Sequence, residues 1–67
     1  MKVKTLMKCM MYPVDIVEVY NSNFNLIDLM DFENAKTAYG DQHLDNFNIY
    51  ENTDGAYVLE IILFPQQ

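Results

Sequence analysis

Asp41, His43 and Asp45 stand at alternate positions, a spacing that turns three ligating or acid–base side chains to one side of an extended segment. Zinc and iron sites normally recruit at least two histidines or a cysteine, and His43 is the only histidine, so this stretch is expected to be a polar, solvated loop. Cys9 and the distant His43 make a formal thiol–imidazole pair, but with one of each in the chain the pairing carries no weight. Ser22 is the only serine and lacks the strand–turn–helix context of a nucleophile elbow. Gly40 and Gly55 fall where a helix end and a turn need them, not in a phosphate-cradling loop. Carboxylates are abundant, yet abundance does not raise a pKa, and 67 residues leave little room for a ligand-sized pocket. The expectation is a protein that is not an enzyme and takes no metal or cofactor.

Charge limits function further. Ten acids oppose four lysines and no arginine, for a net charge of −6. Lys2, Lys4 and Lys8 fall in the first eight residues. From Cys9 onward Lys36 alone faces ten carboxylates, a net −9. Direct binding to nucleic acid needs clustered Lys and Arg and is therefore not expected. The complement of such a chain is a basic protein. The plainer alternative is an acidic surface that only keeps a small domain soluble. One unpaired cysteine forms no intrachain disulfide and fits a reducing cytoplasm, and no run of about 18 apolar residues could span a membrane.

The hydrophobic periods predict one α+β domain over residues 1–67. Val3, Leu6, Met7 and Met10 share a helical face, predicting a helix from Lys2 to Met11 that ends before Pro13, with Cys9 as a small packing residue. Val14–Tyr20 reads as a strand, Asn21-Ser22-Asn23 as a turn and Phe24–Leu29 as the returning strand. Asp31 can cap a short helix that ends at Gly40. Phe47–Glu51 alternates with Phe47 and Ile49 inward, and Asn52-Thr53-Asp54-Gly55 turns the chain into the apolar strand Ala56–Phe64, expected at the centre of the sheet. Pro65-Gln66-Gln67 is expected to end it. The predicted order is α-β-β-α-β-β, two hairpins in a four-stranded antiparallel sheet with two short helices mainly over one face.

Two surfaces follow from this arrangement. If the second helix packs through Phe32, Ala35 and Tyr39, then Asp28, Asp31, Glu33, Asp41 and Asp45 ring its exposed side, with Glu51 and Asp54 on the next hairpin. Such a ring could imitate a phosphate backbone or plug a basic groove, although Asp also favours helix ends and turns for local reasons. Tyr20 and Tyr50, the tyrosines expected to be most exposed, would add contact area at low entropic cost. The second face of the last strand, carrying Val58, Ile62 and Phe64, is too apolar for water and predicts a homodimer.

A Lys-Val-Lys-Thr-Leu-Met opening, the strand Val14-Asp15-Ile16-Val17-Glu18-Val19-Tyr20 running into an Asn-rich turn, and an apolar closing strand give the whole chain a distinct style. In that style, with seven asparagines, five tyrosines and no arginine or tryptophan, it resembles the small acidic proteins of bacteriophages and prophages of low-GC bacteria. The resemblance implies an inhibitor of host defence, of the kind that includes anti-CRISPR proteins and nucleic-acid mimics. The function expected is thus a non-enzymatic protein that binds a basic groove of a host nucleic-acid-handling protein in the cytoplasm. The alternative is a structural or regulatory homo-oligomer.

Overall fold

The order of elements in the computed structural model, which describes residues 1–65, is α1 (Val3–Cys9), β1 (Ile16–Tyr20), β2 (Leu26–Met30), α2 (Phe32–Tyr39), β3 (Leu44–Glu51) and β4 (Tyr57–Leu63). The fold is α+β in the predicted order. Val3, Leu6 and Met7 of α1 are buried, and the helix ends at Cys9 rather than Met11. Met10 is only half-buried and the next two residues, Met11 and Tyr12, are exposed, and a short helix is held by its packed face. Cys9 is exposed rather than packed. Asp31 caps α2 as predicted: the Asn34 backbone N–H donates to Asp31 Oδ1 at 2.8 Å, and Glu33 stands in the first turn.

The sheet order is β2-β1-β4-β3, with the predicted central strand β4 between β1 and β3. Both hairpins are antiparallel, but they join through a parallel pair, Val17 opposite Leu59 and Val19 opposite Ile61, so the sheet is mixed and not wholly antiparallel. Turn residues dictate pairing within a hairpin, whereas nothing local dictates which strands of two hairpins meet. Here α2 carries the chain across one face from edge strand β2 to edge strand β3.

The two hairpin turns share one geometry. In the first, Phe24 N–H donates to Asn21 O and Asn21 N–H to Asn25 O; in the second, Gly55 N–H donates to Asn52 O and Asn52 N–H to Ala56 O. The Asn21 and Asn52 side chains each accept two further backbone N–H groups. The fourth residue of each turn is left-handed, Gly55 at φ 81° and Phe24 at φ 63°. Gly40, by contrast, closes α2 in a right-handed conformation. It is needed for space, because a Cβ there would meet the Lys36 carbonyl oxygen and lie 3.3 Å from Lys4 Cβ.

One core lies between the sheet and the helices. Val17, Val19, Leu59, Ile61 and Leu63 meet Val3, Leu6, Met7, Phe32 and Ala35, all buried. Phe47 and Ile49 point to this same side, opposite Ile61 and Leu59, yet remain 43% and 45% exposed. The inward placement predicted for them holds only in direction. Helix α1, at seven residues, is about 10 Å long, while eight-residue β3 runs about 26 Å, so the helix layer stops short of the strand. Each edge strand carries a bulge: the register slips at Ile27 in β2 and at Asp45 in β3. An Asx side chain also holds a backbone N–H on each, Asp28 Oδ1 that of Leu29 and Asn46 Oδ1 that of Phe47. Bulges and occupied amides blunt edge-to-edge pairing. No helix among the described residues is long and apolar enough to cross a membrane.

Candidate protein-interaction face

The sheet face turned away from the helices carries Ile16, Glu18 and Tyr20 from β1, Leu26 and Leu29 from β2, Val58, Glu60 and Ile62 from β4, and Asn46, Asn48 and Tyr50 from β3. Strand alternation puts them there: in β1 and β4 the residues between them, Val17, Val19, Leu59 and Ile61, fill the core. Glu18 and Glu60 are direct register partners at the centre, a like-charge pair that destabilises unless its oxygens are satisfied. Three donors converge on it. Tyr20 OH donates to Glu18 Oε1 at 3.1 Å, Tyr50 OH to Glu18 Oε2 at 3.2 Å, and Asn48 Nδ2 to Glu60 Oε1 at 3.0 Å.

Tyr50 reaches Glu18 from β3 across the intervening β4. Val58, the register partner of Tyr50 on the strand thus crossed, is only 2% exposed. Val58 was expected to need a second copy of the chain as cover; it is covered within one chain. Ile62 is half-buried, and Phe64 is exposed just past the end of β4. Tyr20, half-buried, has its hydroxyl pushed up to about 12, first by desolvation and then by its bond to Glu18. The Tyr50 hydroxyl is also raised, by desolvation and by the charge of Glu18. The most exposed tyrosines are instead Tyr12 and Tyr57.

The acids predicted to ring α2 are divided between the two ends of the molecule. Asp31, Glu33, Glu51 and Asp54 lie at the end where β1 begins, together with Asp15, whose Oδ2 accepts Tyr57 N–H at 2.9 Å. Asp41 and Asp45 lie at the opposite end. Asp28 is half-buried beneath α2, where its Oδ2 accepts Tyr39 OH at 2.9 Å; desolvation and this bond raise the tyrosine's pKa. Asp41 meets Lys4 Nζ at 2.7 Å, and this hydrogen bond, with the lysine's charge, holds its carboxyl below the usual range. This is the one ion pair among the described residues. Nine of the ten carboxylates therefore have no cation of their own chain within bonding distance.

Asp41, His43 and Asp45 are all exposed, as expected, but only Asp41 stands in a turn: His43 bridges to Lys2 in an extended pairing, and β3 starts at Leu44. No group of three or more His, Cys, Asp or Glu among the described residues could hold a metal ion. Cys9 and His43 are at opposite ends of α1, about 10 Å apart along its axis, and form no dyad. Glu18, Glu60 and Asn48 were missed as site residues. The available signal was a lone acid inside each of two otherwise apolar strands, which marks a strand face that no core covers.

Comparison with known proteins leaves these observations to stand alone: no family model matches the chain, and no curated protein and no solved structure matches it significantly.

Proposed function

We propose that this protein is a non-enzymatic binding module that docks an acidic surface on a basic groove of a nucleic-acid-handling protein, as a phage-type inhibitor of a nuclease would. The observation that carries this reading is the division of charge. All four lysines belong to the helix layer and its N-terminal lead-in, whereas the open sheet face carries two carboxylates and no cation. Glu18 and Glu60 offer adjacent acceptors for Arg or Lys, and Tyr20 and Tyr50 stand beside them as flat, pre-positioned contacts. Leu26 and Leu29, about half exposed, extend the face with the apolar area that a desolvated interface centre uses. Asp31, Glu33, Glu51 and Asp54 at one end, and Asp41 and Asp45 at the other, would steer approach rather than form one ring.

The test is capture from host lysate at low and high salt, with mass spectrometry of what is retained, beside a Glu18→Gln, Glu60→Gln variant. The expected result is a DNA- or RNA-handling protein released as salt rises and bound at least about tenfold more weakly by the variant, the loss of a charge-assisted contact. Salt-insensitive retention would defeat the charge mechanism. Recovery of the bait alone would transfer the assignment to a self-assembling protein, a second reading favoured by the exposure of Phe64 just past the end of β4.

A further inference from the structure

The helix layer is incomplete, and the gap has a definite shape. Where α1 ends, the linker from Met10 to Val14 runs toward β1 and leaves a groove of about 320 Å³ against Ile49 and Tyr57. Its walls are apolar, and Phe47 continues them one pleat along β3. Exposure is high for such side chains: 84% at Met11, 76% at Tyr12, 55% at Tyr57 and 45% at Ile49. The groove's lower end is acidic, since Tyr57 pairs with Glu51 across the hairpin and Asp15 Oδ2 holds Tyr57 N–H, while Asp54 sits in the adjoining turn. Lys8, in the last turn of α1, is the nearest cation in sequence.

From this we infer a second docking surface, on the opposite side of the sheet from the open face, that receives an amphipathic basic helix of a protein partner. Its apolar stripe would lie on Phe47, Ile49 and Tyr57 between β3 and the Met10–Val14 linker, and its Lys or Arg side chains would face Glu51, Asp15 and Asp54. A helix fits better than an added strand. The outer edge of β3 is blunted by the bulge at Asp45 and by the Asn46 side chain on Phe47 N–H, while the free space lies above the sheet, in line with the existing helices. Met and aromatic walls suit a helix face because they adapt to side chains of differing shape. Complementary charge gives the sign of the partner; the site itself does not depend on the open face.

The probe is a Leu/Lys amphipathic helical peptide of about 18 residues, long enough to fold as a helix and to overrun the roughly 16 Å of β3 that α1 leaves uncovered. It is titrated into the isotope-labelled full chain and followed by NMR, with a Leu/Glu peptide of the same pattern as control. Expected are shifts centred on Met11, Phe47, Ile49 and Tyr57, with binding at least tenfold weaker for the Leu/Glu peptide. Ile49→Asp should abolish them, and Met11→Ala, at a side chain too exposed to matter for folding, should weaken binding about threefold or more. Glu18→Gln with Glu60→Gln should leave the groove shifts unchanged, which separates this site from the open face whichever of the two fails. Shifts confined to the acidic ends, equal binding of both peptides, no binding, or concentration-dependent shifts at the groove in the chain alone would each overturn the proposal, the last by identifying the occupant as a second copy.

Discussion

Phe24 sits where the matching turn of the second hairpin has Gly55, in a left-handed conformation that a side chain disfavours by about 1–2 kcal/mol. Its ring is 70% exposed, so little burial offsets the strain. Glycine would relieve the strain but adds about 0.5–1 kcal/mol of chain entropy to the unfolded state. Phe24→Gly is therefore expected to stabilise the protein by about 0.5–1 kcal/mol, seen as a higher urea midpoint at unchanged slope. Gly55→Ala should destabilise it by about 1 kcal/mol. A Cβ there meets nothing within 4 Å, so that loss would come from the backbone alone. A lower midpoint for Phe24→Gly would show that the ring makes contacts worth more than its strain. The turn residues Asn21 and Asn52, the cap Asp31 and Gly55 were legible in sequence because their chemistry is local. Phe24 was read only as the start of a strand, because no residue type announces a phenylalanine in a glycine's conformation.

At the scale of the elements, Tyr50 links β3 to β1 over the top of β4, and Tyr20 shares the same carboxylate. The folded state holds the Tyr20 proton up to about pH 12, while an unfolded tyrosine loses it near 10. Between those values the unfolded chain binds fewer protons than the folded one, so stability falls as pH rises and is fully present below about pH 10. Urea midpoints across this window should drop steadily, and Tyr20→Phe should flatten the slope. An unchanged slope in the variant would mean that Tyr20 ionises like a free tyrosine. Sequence periodicity located all six elements but not their ends: α1 stops at Cys9, β1 starts only at Ile16, β2 runs from Leu26 to Met30, and β3 starts at Leu44, three residues before the alternating stretch at Phe47. Helix α1 is shorter than its apolar pattern because packing partners, absent from any one-dimensional pattern, run out at the exposed Met11 and Tyr12.

The whole molecule is a single thin layer of core, and its stability rests on few residues. A chain of this length buries only about 60% of its unfolded surface. Leu59 is fully buried in the central strand, between Val17 and Ile49 in register. Leu59→Ala is expected to cost about 2–5 kcal/mol, a large part of what a small domain has. Far-UV circular dichroism with urea titration at 25 °C should show a variant largely or wholly unfolded; a loss under about 1 kcal/mol would mean the core collapses around the gap. At this scale charge is also arranged by the fold. The lysines gather with the helices, and nine carboxylates are left without an ion-pair partner of their own.

Composition and pattern alone determined the element order, the central place of Tyr57–Leu63, the helix-covered face and the acidic character, because each depends on residue type or on spacing within one element. Tertiary structure decided the rest. The parallel β1–β4 pairing depends on how two hairpins meet across the core. The dispersal of the predicted acidic ring follows from it, since helix α2 spans the sheet and separates Asp31 and Glu33 from Asp41. The same pairing brought Glu18 beside Glu60, 42 positions away, and within reach of the Tyr50 hydroxyl, 32 positions away, contacts that no local pattern could join. The groove beside β3 arose in the same way, from a mismatch between the length of a helix and that of the strand below it.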